Sequence, residues 1–131
     1  MSPFKNMLIQ LKGKIISTNH AYRHTSMGGF ARQYMDKKAV ALKEDYQWQI
    51  KQQILAYRTS LPLINPLELF IRAYLPTKRL TDWDNLHKLS MDACNGLVWV
   101  DDKQVWKATV ERLYSKENPR IELSITESHA H

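Results

Sequence analysis

One cysteine, Cys94, stands alone in a chain of 131 residues. A lone thiol excludes an intramolecular disulfide and a cysteine-rich zinc site, and it suits a reducing compartment. Long apolar runs are also missing. A short one opens the chain, but Lys5 and Gln10 interrupt it, and it is too short to cross a bilayer. No stretch reads as a signal peptide. The expectation is a soluble, cytoplasmic protein with no membrane association. Internal repeats and low-complexity segments are lacking too. Acidic residues are scarce: 13 Asp and Glu face 19 Lys and Arg, for a formal net charge of +6. That balance favours a polyanionic partner, although by itself it often serves only solubility.

What is present is ordinary globular material, 44% hydrophobic and 24% charged. The length predicts a single domain over residues 1–131, able to build a core without disulfides or structural metal. Met7 to Lys12 alternates as a first strand. A loop is expected from Gly13 to about Gly29. A long helix is expected from about Tyr34 to Tyr57, with Met35, Ala39, Leu42, Tyr46, Ile50, Ile54 and Tyr57 on its buried face. Pro62 and Pro66 interrupt the chain. Leu67 to Leu75 alternates as a second strand. A second helix is expected from about Asp84 to Asn95, capped by Gly96. Its core face would carry Leu86, Leu89, Ala93 and Leu97. Val105 to Tyr114 and Arg120 to Thr126 read as strands, joined as a hairpin by Glu117-Asn118-Pro119. A mobile tail is expected over 127–131. The pattern is an α/β (α+β) domain with a small sheet.

Against the basic background one segment is conspicuously acidic. Asp82-Trp83-Asp84-Asn85-Leu86-His87-Lys88 is followed by Asp101-Asp102. Carboxylates gathered on a phosphate-seeking surface are reconciled most simply by a divalent cation between them and phosphate. Asp82 and Asp84 would share one side of an extended stretch. Lys88 would lie one helical turn beyond Asp84, and Asp101 or Asp102 would return to meet them. Oxygen donors without a Cys or His cluster suit magnesium or manganese rather than zinc. Lys88 would neutralise charge developing on phosphate.

Taken singly, each piece has a plainer reading. Asp-x-Asp before a helix is commonly a cap, and Asp-Asp before a strand is often a solvated turn. Asp92 is expected to bind Lys88 or a backbone group. His87, His20 and His24 read as surface residues, and His129 and His131 sit in a tail without fixed geometry. Trp83 and Trp99 could stack on bases, but packing is the commoner use of each. Lys78 and Arg79 are the better candidates for phosphate contact, since they adjoin the acidic site. The combination of carboxylates, Lys88 and basic surface tips the reading towards metal-dependent chemistry on nucleic acid.

The motif Asp82-x-Asp84-Asn85-Leu86-x-Lys88, then Asp92-Ala93-Cys94-Asn95-Gly96, then Asp101-Asp102-x-Gln104-Val105 resembles the RusA family of Holliday junction resolvases. The early stretch from Gly13 to Arg23 is similar to that family's first loop. The resemblance implies a mixed sheet of about four strands with two helices. It implies a homodimer that grips a four-way DNA junction and nicks two strands of like polarity, leaving 5′-phosphate and 3′-hydroxyl ends. Carried over by position, Asp82, Asp84 and Asp102 are the magnesium-binding catalytic carboxylates, with manganese able to substitute. Lys88 is the essential basic residue, and Asp101 is an additional candidate carboxylate. Lys14, Asn19, Tyr22, Arg23, Lys78 and Arg79 are the expected DNA contacts. Ile15, Thr81 and Cys94 depart from residues common in the family; none is a carboxylate or the lysine. Two alternatives remain: a non-catalytic junction- or duplex-binding regulatory protein of phage origin, and a nuclease for flaps or forks.

Overall fold

The computed structural model describes residues 6–13, 22–27, 30–35, 37–57, 59–78 and 87–128. In chain order its elements are β1 (Met7–Lys12), β2 (Tyr22–Met27), β3 (Phe30–Met35), α1 (Lys37–Ile54), β4 (Leu67–Leu75), α2 (Lys88–Cys94), a short 3-10 turn (Asp102–Gln104), β5 (Val105–Tyr114) and β6 (Arg120–Glu127). Four strands form one mixed sheet in the order β1-β6-β4-β5, and β2 pairs with β3 separately. The fold is therefore α+β, and the described residues hold the expected four-stranded mixed sheet and two helices.

Strict alternation fixes which sheet face is covered. Met7, Ile9 and Leu11 of β1, Ile121, Leu123 and Ile125 of β6, and alternate residues of β4 from Leu67 to Leu75 are all buried. The helices close over that face with Ala39, Tyr46 and Ile50 from α1 and Leu89, Ala93 and Cys94 from α2. A one-residue slip in any of these strands would turn its apolar set to water. The Cys94 thiol is fully buried, and burial pushes its pKa well up. It is an inert core residue.

The outer edge of β1 is closed by side chains of α1. Gln53 lies one helical turn after Gln49, and Tyr57 follows at the same spacing just past the helix end. All three meet alternate residues of the strand. The Lys12 N–H donates to Gln49 Oε1 at 2.8 Å, and Gln49 Nε2 donates to the Lys12 carbonyl at 3.0 Å. Gln53 does the same with Gln10, at 2.8 and 2.6 Å. The Tyr57 hydroxyl accepts from the Leu8 N–H at 3.0 Å and donates to its carbonyl at 3.1 Å. The two side-chain amides act as a surrogate strand, which blunts an edge that would otherwise pair with another chain. Gln53→Leu removes both hydrogen bonds of Gln10 while keeping the volume. Its expected cost is about 1–3 kcal/mol, measured as a lower urea midpoint; an unchanged midpoint would show that water replaces the amide without loss.

Several elements differ from the sequence reading. The long helix starts at Lys37, because Tyr34 and Met35 are strand residues paired with Arg23 and Tyr22. Met35 has helical spacing from Ala39, yet its backbone bonds go to β2. The segment 22–27, expected as loop, is the other half of that pair. Its side-chain pattern of Tyr22 to Met27 has no apolar alternation to betray it. The second helix begins at Lys88, a turn later than Asp84, with Asn95 as its C-cap. Gly96 follows at φ +81, the left-handed conformation that glycine supplies after a helix. β5 and β6 are not a hairpin: β4 lies between them, parallel to β5 and antiparallel to β6. The helix α2 carries the chain across from β4 to β5, as a parallel pair requires. Glu127 and Ser128, expected in a mobile tail, are held. Glu127 pairs with Leu67 and its carboxylate accepts from Asn65 Nδ2. The Ser128 N–H donates to the Pro66 carbonyl at 2.8 Å.

Candidate active site

The acidic end of the molecule lies where α2 hands the chain back to β5. Leu89, Ala93 and Cys94 anchor α2 to the core. Lys88 and Asp92, one turn apart, are left towards solvent. The Ser90 hydroxyl donates to the His87 carbonyl at 2.7 Å, which occupies an acceptor at the helix start. Behind α2 the chain reverses through a tight turn. The Leu97 and Val98 N–H groups both donate to the Cys94 carbonyl, at 3.0 and 2.9 Å, and the Gly96 N–H donates to the Trp99 carbonyl at 2.6 Å. Trp99 is fully buried, and its indole Nε1 donates to Asn95 Oδ1 at 2.7 Å. It is a core residue, not a base-stacking one.

Asp101 and Asp102, interchangeable in sequence, have different surroundings. Asp101 caps the 3-10 turn: its Oδ1 accepts from the Lys103 N–H at 3.0 Å. Gln104 completes a reciprocal capping box. Its Oε1 accepts from the Val100 and Asp101 N–H groups at 2.9 and 3.0 Å. Its Nε2 donates to the carbonyls of Leu63 and Asn65 at 2.8 and 3.1 Å. One side chain thus ties the Asp101–Asp102 loop to the segment leading into β4. In the sequence Gln104 stood only as part of the family motif, with no role given, although Asp-x-x-Gln before a strand carries the capping-box spacing.

Asp102 shares a hydrogen bond with the Asp101 carboxyl and also feels Asp92 and Lys88 of α2. Partial desolvation raises its carboxyl above the usual range, a hydrogen bond and negative charge from Asp101 add to this, and Asp92 raises it further; Lys88 alone opposes. Asp101 moves in the other direction, held down first by the backbone N–H of Lys103. The structure therefore brings Lys88, Asp92, Asp101 and Asp102 together from two segments. A raised carboxyl among like charges is a site short of positive charge, and a cation there would stabilise the ionised form. All donors are hard oxygens, in keeping with magnesium or manganese.

Asp82, Asp84, Lys14, Asn19 and Arg79 lie outside the described residues. Among the described residues, no three His, Cys, Asp or Glu side chains stand close enough to hold a metal; the expected set needs Asp82 and Asp84. Tyr22 and Arg23 open β2. Lys78 is at the far end of the sheet from Asp102. It follows the last residues of β4, and its Nζ sits 5.2 Å from the centre of the Tyr114 ring at the end of β5. Asp92, expected only as a partner for Lys88 or backbone, also acts on Asp102; its spacing from Lys88 was the signal.

An α+β fold with a carboxylate and lysine cluster at one end of its four-stranded sheet, in a basic chain, defines a class: small enzymes that work on phosphodiesters. Comparison narrows it. The family model for endodeoxyribonuclease RusA matches residues 13–126. The crossover junction endodeoxyribonuclease of Enterobacteria phage 82 is 31% identical over 112 residues, covering 85% of this chain and 87% of that one. Those of Escherichia coli strain K12 and Shigella sonnei are 30% identical over the same shares. The chain belongs to the RusA family. Among the described residues, no helix is long and apolar enough to cross a membrane.

Proposed function

We propose that this protein is a structure-selective endodeoxyribonuclease that resolves four-way DNA junctions by symmetric paired nicks, in the cytoplasm of a bacterial or phage-infected cell. The observation that carries the reading is the meeting of Lys88, Asp92 and Asp102 at one end of the sheet, in a chain whose relatives are named as crossover junction endodeoxyribonucleases. Asp82, Asp84 and Asp102 hold a magnesium ion, which manganese can replace. When bound, that ion supplies Lewis-acid stabilisation of charge on the phosphate and makes water a better nucleophile. Lys88 opens α2 and places its ammonium beside the carboxylates, where it binds the scissile phosphate and balances charge in the transition state. Asp101 and Gln104 fix the loop that aims Asp102. A junction with two-fold symmetry is met by a homodimer whose two sites act on strands of like polarity.

The test is a synthetic mobile junction incubated with protein in magnesium, beside linear duplex and a flap. Paired nicks in opposite arms, with linear duplex left intact, are the expected result. Tight binding with no nicking in either magnesium or manganese would overturn the enzymatic reading in favour of a junction-binding protein. Faster cleavage of the flap would overturn the choice of substrate.

A further inference from the structure

Charge is distributed unevenly along the sheet. At the end that carries Asp102 lie Asp92, Asp101, Glu68 and Glu127, with Lys88, Lys103 and Lys107 among them. The opposite end collects cations from four separate segments. Lys12 closes β1 and is the cross-strand partner of Arg120. Arg120 opens β6 beside Tyr74 of β4, with its guanidinium 3.7 Å above the centre of the Tyr74 ring. Lys78 leans over Tyr114. The Ser115 N–H donates to the Leu75 carbonyl at 2.8 Å, which pins the turn so that Lys116 emerges beside the end of β4. Arg112 approaches the same end along β5. Among the described residues the acids near this end are Glu117 in the turn, Asp45, which accepts from the Gln49 amide that also bonds the Lys12 backbone, Glu111, which Arg72 pairs at 3.6 Å, and Glu122, which Arg120 already pairs at 3.0 Å.

We infer that this basic end is a second DNA-contact surface, gripping the phosphates of a duplex arm some distance from the cut. The inference rests on the nuclease reading above. β5 has 10 residues, so the two ends are on the order of 30 Å apart. That corresponds to about nine base pairs of duplex. An acidic catalytic site repels the backbone it must cut, and a remote basic grip offsets that repulsion without crowding the scissile phosphate. Lys12, Lys78 and Lys116 are exposed point charges on flexible stems, suited to phosphate contact that carries no sequence information. Arg120 is instead engaged by Tyr74 and Glu122, and serves as framework.

The experiment measures junction binding without divalent metal as a function of salt. It uses wild type, the triple variant Lys12→Ala/Lys78→Ala/Lys116→Ala, and Glu117→Lys. The three lysines are exposed, so the triple variant should melt like wild type. Its slope of log affinity against log salt should be shallower by about 2–3, one phosphate contact contributing about 0.9. Glu117→Lys should be steeper than wild type. On a junction whose arms are cut to about five base pairs, too short to reach the basic end, triple variant and wild type should bind alike. A triple variant with the wild-type slope, or a deficit that persists on short arms, overturns the assignment. Wild-type protein that binds with a slope the triple variant loses, yet never nicks, would sink the nuclease reading while supporting this surface.

Discussion

Asp102→Asn is expected to lower junction nicking by roughly 10²–10³-fold while leaving the metal-free protein at least as stable as wild type at neutral pH. The two effects have one cause. In the folded protein the Asp102 carboxyl is partly desolvated and faces Asp101 and Asp92, so its ionised form is disfavoured. An amide of the same shape ends that repulsion and cannot serve as an anionic ligand. Asp101→Asn provides the contrast, because asparagine still caps the 3-10 turn and Asp102 remains. Its nicking should exceed that of Asp102→Asn by at least about tenfold. Nicking assays beside thermal melts in chelator test both substitutions. Equal losses at the two positions would show that the pair acts as one unit. A large drop in the melting temperature of Asp102→Asn would show that its carboxylate stabilises the fold.

The same environment sets a pH dependence. Asp102 has a folded-state pKa raised above its unfolded value. Its contribution favours the folded state fully below the unfolded value near 3.8 and is lost as pH rises through the higher folded value. Asp101 is lowered, so its contribution is present above the unfolded value and is lost as pH falls through the folded one. The two act in different windows: Asp102 above that unfolded value, in mildly acid solution, and Asp101 below it. Asp102→Asn removes the first while the Lys103 N–H still holds Asp101 down, and its stability relative to wild type should therefore rise between mildly acid and neutral pH. A divalent cation competes with the proton on Asp102, so magnesium should bind more weakly as pH falls through that raised value.

Wherever burial alternated along a strand, the sequence was legible. β1 and β4 fall where Met7, Ile9 and Leu11 and the run from Leu67 to Leu75 placed them, and β5 and β6 begin and end within a residue of the reading. Ala39, Tyr46 and Ile50 were likewise visible as the buried stripe of α1. Pairing was less visible. Glu117-Asn118-Pro119 has turn chemistry, but turn residues do not say whether the next strand lies beside its predecessor or beyond a third. β2 and β3 carry no apolar alternation, so their pairing left no periodic mark in the sequence. At the site, residue types announced the chemistry before the geometry was known. What they could not do was divide labour between Asp101 and Asp102. That division depends on which carboxylate meets the Lys103 N–H and which feels Asp92 and Lys88 of α2, and residue type says neither.

Trp99→Ala is expected to be the most destabilising single change in the loop between α2 and β5, at about 3–5 kcal/mol. Domains of this size have only about 5–15 kcal/mol in hand, so the melting temperature should fall by roughly 10–20 °C. Trp99 is the largest fully buried side chain, and its removal leaves a cavity that the short turn around Gly96 cannot collapse to fill. The loss is also polar, since Asn95 Oδ1 is bonded to the indole N–H at 2.7 Å. Trp99→Phe separates the two terms. It keeps most of the apolar volume and deletes the donor, so it should cost about 1–3 kcal/mol. Function should follow, because the Trp99 carbonyl accepts from the Gly96 N–H and the next residues carry Asp101 and Asp102. At a temperature where Trp99→Phe is still fully folded, nicking should drop more than the folded fraction does, since a shift of about 1 Å in Asp102 is enough to impair catalysis. A Trp99→Ala protein that melts within about 2 °C of wild type would mean a loss well under 1 kcal/mol, and the loop would then be held by Gln104 and the turn alone.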